Sequence, residues 1–180
     1  MNFTTKKRVL WFLLGTFSLW FVGCGSSQDE NKGSVELDAC SLLAAANPES
    51  ILGEPVGEPH STLQQHDADM AVSRCGVAAQ SSYLRTLSLQ VNYYRKYDNP
   101  KTVNDFLGSQ NLNYAGVKFT PHEVSGLGDL AVSLSSPGSF QLWVFWKKHY
   151  RMNISLTEFG DQALALEKAR AVAQQVMSKL

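Results

Sequence analysis

From Thr86 to Tyr93 the side chains change polarity at every step: Leu87, Leu89, Val91 and Tyr93 are interleaved with Thr86, Ser88, Gln90 and Asn92, and Tyr94 follows in the polar register. A period of two puts successive side chains on opposite faces of an extended chain, so this stretch reads as a half-buried strand. The signature recurs. Cys75, Val77 and Ala79 alternate with Arg74, Gly76 and Ala78. Leu130, Val132 and Leu134 lead into a Ser136-Pro137-Gly138 turn, and Phe140, Leu142, Val144 and Trp146 then alternate with Gln141, Trp143, Phe145 and Lys147. Lys148-His149 turns the chain into Tyr150, Met152, Ile154 and Leu156. The run from Val117 to Val124 reads as another strand, at an edge or with an irregularity, because Pro121 has no amide to give to a ladder. A strand start is also expected near Val56.

Helix signals lie around these strands. Asp38 caps a short helix through Ala46, and Asn47-Pro48 restarts it as far as Gly53. Asn99-Pro100 opens a central helix with Val103, Phe106 and Leu107 as its apolar stripe. A longer helix capped by Asp161 carries Ala165, Ala169, Val172, Ala173, Val176, Met177 and Leu180 along one face. The expected class is α+β: an antiparallel sheet of about six or seven strands in meander order. Short N-terminal, central and longer C-terminal helices pack it, covering one face.

Composition supports one domain of ordinary type, with 180 residues, 44% hydrophobic and 18% charged. The 16 basic and 16 acidic side chains balance, but Lys6, Lys7 and Arg8 stand directly before an apolar run from Val9 to Val22. A basic start, an apolar stretch and small residues form the layout of an export signal. The run is shorter than the roughly 20 residues a helix needs to cross hydrocarbon. It ends in Phe21-Val22-Gly23-Cys24, which resembles the bacterial lipobox, with Phe21 where leucine is usual. That resemblance implies cleavage before Cys24, lipid on its thiol and acylation of the new amine.

The organisation that follows is a signal peptide at 1–23, a polar tether at 24–36 and one domain at 37–180. A tether of about 12 residues has a root-mean-square span of roughly 19 Å, holding the domain near a membrane surface. Removing Lys6, Lys7 and Arg8 leaves 13 basic side chains against 16 acidic ones, a mature charge near −3. That charge and an envelope location argue against nucleic acid as a partner. Gly25, rather than aspartate, after the lipidated cysteine implies the outer membrane if the cell is Gram-negative.

Three cysteines leave one odd, and lipidation of Cys24 removes it. Cys40 and Cys75 remain as a disulfide pair in an oxidising compartment, or as two free buried thiols. Asp38-Ala39-Cys40-Ser41-Leu42-Leu43, Ile51-Leu52-Gly53-Glu54-Pro55-Val56-Gly57, Ser73-Arg74-Cys75 and Gly126-Leu127-Gly128-Asp129-Leu130-Ala131 together resemble a family of small exported lipoproteins common in actinobacteria, whose function is unknown. The resemblance implies a disulfide at Cys40 and Cys75 and supplies no activity.

Chemistry-bearing motifs are sparse. His60, His66, Asp67 and Asp69 lie close together, but in a segment that reads as loop, without the fixed spacing of metal ligands. Gly126-Leu127-Gly128-Asp129 precedes a strand instead of opening a helix, which suits a tight turn better than a phosphate cradle. No nucleophile elbow, zinc-protease helix or P-loop occurs. No cofactor and no metal are expected.

The candidate binding surface is aromatic. Trp143 and Phe145 share a strand face opposite Phe140, Val144 and Trp146, and either lie open beside Lys147, Lys148 and Arg151 or are covered by a helix. Tyr94 and Tyr97, with Arg95 and Lys96, form a second cluster suited to sugars or a protein partner. The expected function is a non-enzymatic, lipid-anchored envelope protein that binds a protein or glycan. The alternative is an envelope or cell-wall-modifying hydrolase in which His122 or His149 meets a carboxylate.

Overall fold

The alternating segments pair edge to edge in a computed structural model that describes residues 35–109 and 119–180. Among these residues the order is α1 (Ala39–Ala45), α2 (Pro48–Leu52), β1 (His60–His66), β2 (Met70–Ala78) and β3 (Thr86–Tyr94). It continues with α3 (Val103–Ser109), β4 (Thr120–Glu123), β5 (Leu130–Ser136), β6 (Ser139–Trp146), β7 (Tyr150–Thr157) and α4 (Gln162–Met177). The fold is α+β, with one seven-stranded antiparallel sheet ordered β1-β2-β3-β7-β6-β5-β4. The strands form two meanders instead of one. β1-β2-β3 and β4-β5-β6-β7 each pair neighbour to neighbour, and the two are joined where β3 meets β7, with Leu87 opposite Leu156 and Val91 opposite Met152.

Local chemistry sets the helix ends. The Asp38 carboxylate accepts from the amides of Cys40 and Ser41, and Asp161 accepts from Ala163 and Leu164, as N-caps do. Asn47 reaches the Ser50 amide ahead of Pro48, and Gly53 ends α2 in the left-handed region at φ 77°. At α3 the cap lies later than Asn99-Pro100. Thr102 Oγ1 accepts from the Asp105 amide while Asp105 Oδ2 accepts from the Thr102 amide, a reciprocal pair that fixes the first turn.

One sheet face packs against α1, α2 and α4. Its interior holds Cys75, Val77, Leu87, Leu89, Val91, Leu142, Val144, Met152, Ile154 and Leu156, facing Leu43, Leu52, Ala169, Val172 and Val176. Helices are not confined to that face. On the other side α3 places Phe106 against Leu130, Val132, Leu134 and Phe145 in a second, smaller core. Over β1, β2, β3 and β7 no described helix lies on this second face, although Val72 and Asn92, which point to it, are buried.

Three further segments differ from the sequence reading. The segment from His60 to His66, read as loop, is the edge strand β1; every residue in it is exposed, so no apolar alternation marks it. Its backbone nevertheless pairs with β2, with a register shift between Ser61 and Leu63. Val117, expected to begin the Pro121 strand, lies outside the described residues, and β4 runs only from Thr120 at the opposite sheet edge. Val56 forms a single bridge to Ala79 instead of starting a strand. Among the described residues no helix is long and apolar enough to cross a membrane.

Candidate functional site

Cys24, the proposed lipidation site, lies outside the described residues, as do the signal segment and residues 24–34 of the tether. The other two cysteines are bonded: Cys40 on α1 and Cys75 on β2 form a disulfide with their Cα atoms 5.0 Å apart. Beside it the Ala39 amide donates to Ser73 Oγ at 2.9 Å. The Ser41 hydroxyl and the Ser41 and Cys40 amides hold the Asp38 carboxyl below its usual range.

The four aromatic candidates separate. Phe145 is 1% exposed beneath Phe106, their rings 5.7 Å apart, so it belongs to the second core and not to an open surface. The reason is α3, which brings its apolar stripe onto β5 and β6. Trp143 is half-buried at the margin of that core, with its indole Nε1 donating to Gln141 Oε1 at 3.2 Å. Tyr94 lies under the Arg151 guanidinium, 4.6 Å from its ring centroid, and Tyr97 meets Tyr94 edge-on at 6.3 Å while remaining 67% exposed. Arg151 is further held by Asn99 Oδ1 and the Asp98 carbonyl, each at 3.1 Å. The Tyr94 and Tyr97 cluster is therefore built, but apart from Trp143.

The polar groups considered for catalysis or metal binding do not converge. His66 Nε2 meets Gln64 Nε2 and its Nδ1 meets the Val35 carbonyl, Asp67 caps its own turn through the amides of Asp69 and Met70, and Asp69 pairs with Lys96. That pairing raises the Lys96 pKa above its ordinary value. Among the described residues no three His, Cys, Asp or Glu side chains are grouped to hold a metal. His122 is exposed on β4, and His149 Nδ1 contacts the Tyr97 carbonyl at 3.4 Å; among the described residues neither forms an ion pair with a carboxylate. Gly126 to Asp129 forms a turn before β5, as its position suggested. The Asp129 amide donates to the Phe145 carbonyl at 2.7 Å, and Gly128 sits at φ 58°.

The feature that sequence reasoning missed is a row of polar side chains on the sheet face that no described helix covers over β2, β3 and β7. Strand pairing aligns Arg74, Gln90, Asn153 and Trp143 in one row across β2, β3, β7 and β6. Three interstrand steps give that row a span of about 14 Å. Arg74 Nε donates to Gln90 Oε1 at 2.8 Å, Gln90 Nε2 to Asn92 Oδ1 at 3.0 Å, and Asn153 Nδ2 reaches Gln141 Oε1 at 3.5 Å. Amides and a guanidinium in a row offer many donors and acceptors to a polar ligand.

Over β1, β2, β3 and β7 charge on this face has one sign, and Glu123 lies beyond them at the β4 edge. Six of the seven strands contain no Asp or Glu, the exception being Glu123 on β4. The arginines of the strands, Arg74 and Arg151, both lie on the uncovered side, and neither forms an ion pair among the described residues. The alternating runs contained this signal as the residue types at their polar positions, but the strand order was needed to assemble it. A groove of about 430 Å³ opens beside Arg74, lined also by His60, Thr62, Gly76, Tyr83 and Ser88.

The chain matches no protein-family model, no curated protein and no solved structure.

Proposed function

We propose that this chain is a lipid-anchored cell-envelope protein, without catalytic activity, that binds an envelope partner through its uncovered sheet face. The observation that carries the reading is the order Lys6-Lys7-Arg8, an apolar run and Gly23-Cys24 at the start of the chain. Lipid on the Cys24 thiol together with acylation of its amine would anchor the protein stably, since each buried methylene contributes about 0.8 kcal/mol. The Cys40–Cys75 disulfide fits an oxidising compartment outside the cytoplasm. The likeness of the segments around Cys40, Cys75 and Gly126 to small exported actinobacterial lipoproteins fits the same address. In a Gram-negative cell, Gly25 directs the protein to the outer membrane.

The binding half of the proposal is supported by the row from Arg74 to Trp143 and by the exposed Tyr97 beside Tyr94. The test is metabolic labelling with a palmitate analogue and fractionation of cells expressing the wild type or Cys24→Ser. Label and membrane association in the wild type, both lost in the variant, are the expected result. A Cys24→Ser protein that still carries label and still sediments with membranes overturns the proposal.

A further inference from the structure

We infer that the groove over Gly76 binds an acidic glycan, a saccharide that carries a carboxylate. This deepens the binding reading above and rests on it for the compartment in which such a ligand would be met. The volume of about 430 Å³ lies within the range of small-ligand sites. Gly76 lines it without a side chain: a Cβ there would come no closer than 3.9 Å to His60 Cε1, Leu87 O and Ser88 Cβ, so the space over this residue is open. Arg74 stands at one wall, and its hydrogen bonds among the described residues go only to the neutral side chain of Gln90.

Charge complementarity selects an anion. The lining contains Arg74 and His60 and no carboxylate, although the chain as a whole has as many acidic as basic side chains. The remaining walls select a sugar over an acidic peptide. Thr62 and Ser88 offer hydroxyls that can both donate and accept, matching the vicinal hydroxyls of a pyranose, while the Thr86 hydroxyl is engaged with Thr157 Oγ1. Tyr83 is 82% exposed at the rim and offers a flat ring for the apolar face of a sugar. A peptide would instead call for apolar pockets for alternate side chains.

The experiment is isothermal titration of the full-length chain in detergent with trigalacturonate, maltotriose and poly-glutamate. Trigalacturonate should bind saturably and more weakly as salt rises. Its affinity should fall at least tenfold in Arg74→Gln, which removes the cation, and in Gly76→Val, which fills the space over that residue. Thermal unfolding of both variants should remain cooperative; if Gly76→Val does not fold, the exposed Arg74→Gln decides alone. Absence of saturable trigalacturonate binding overturns the inference, as does undiminished binding by the folded variants. Equal affinity for maltotriose would mean a neutral sugar site, and equal affinity for poly-glutamate an acidic-peptide site; either result also overturns it. Lipid labelling of Cys24→Ser is read on cells and this titration on purified protein, so the failure of one is distinguishable from the failure of the other.

Discussion

The backbone amide of Ala39 donates to the side-chain oxygen of Ser73 at 2.9 Å, and Cys40, the next residue on α1, closes the disulfide with Cys75, two places on from Ser73 in β2. One helical turn is thus fastened to one strand by a buried hydrogen bond and a covalent bond side by side. Ser73 is 2% exposed, so water cannot replace it. Ser73→Ala should lower stability by about 1–3 kcal/mol, the cost of leaving a buried amide unsatisfied. The check is the midpoint of urea unfolding with the disulfide intact, and an unchanged midpoint would contradict the account.

Replacing both Cys40 and Cys75 by Ala should be costlier. The bridge spans a sequence separation of 35 residues. On the loop-entropy model its loss removes roughly 3.5 to 4 kcal/mol. Equilibrium unfolding of the double variant against the oxidised wild type measures this, and mass analysis of unreduced peptides should recover the two cysteines linked.

Gly128→Ala should be among the most damaging single changes at a turn. A Cβ there would lie 2.4 Å from the Phe145 carbonyl oxygen, at a backbone φ of 58°. Strain and overlap together predict a loss of about 2–4 kcal/mol. Gly53→Ala, at φ 77° with nothing within 4 Å of the added atom, meets only the backbone penalty, about 1 kcal/mol. A thermal-unfolding comparison of the two variants separates contact from conformation.

Phe106→Ala should detach α3 from the sheet. Phe106 is fully buried between Trp143 and Phe145, at ring separations of 5.6 and 5.7 Å. The expected cost is about 3–5 kcal/mol. Trp143 should become more accessible to a fluorescence quencher; a variant that loses stability without that change would mean α3 is held by something else.

Asp38 predicts an acid-side effect with a definite sign. Its carboxyl is held below its ordinary value of 3.8, chiefly by the Ser41 hydroxyl and then by the Ser41 amide. A depressed folded-state pKa contributes stability that is complete above the unfolded value and is lost as pH falls through the folded one. Asp38→Ala should therefore cost about 1 kcal/mol at neutral pH, as for other N-caps. The gap should narrow below pH 3.8 as the wild-type carboxyl takes up its proton. Denaturation midpoints of both proteins across that range provide the measurement.

What the sequence disclosed depended on whether one face alone of each segment was buried. From Thr86 to Val91 the burial alternates cleanly because α1, α2 and α4 cover one face and no described helix lies over the other, and it breaks at Asn92, which is buried on that second face. From Ser139 to Trp146 the same period holds, but Trp143 and Phe145 are apolar as well, because α3 lies over that side. Period alone does not tell a covered second face from an exposed aromatic one. β1 was illegible because His60 to His66 bury nothing, and only pairing with β2 defines the strand.

The uncovered row was hidden for a topological reason. Gln90 and Asn153 stand 63 positions apart in the chain and become neighbours only because β3 pairs with β7. Nothing local to either residue announces the other. The Cys40–Cys75 pair was accessible in part: setting Cys24 aside left two cysteines, bonded or free, and the disulfide in the structure decides between them.

That same β3–β7 junction has a consequence in time. β1, β2 and β3 can close on themselves as soon as they exist, through hairpins that need only nearby residues. The far side of β3 must then wait for β7, which begins at Tyr150, more than fifty residues after Tyr94. During that interval Leu87-Ser88-Leu89-Gln90-Val91-Asn92-Tyr93-Tyr94, apolar at alternate positions, uncharged and free of proline, presents an unsatisfied row of amides and carbonyls to any other chain. Contacts so distant in sequence form slowly, so the vulnerable species is the half-made sheet. A nascent chain of this kind profits from being kept extended until its last strand arrives.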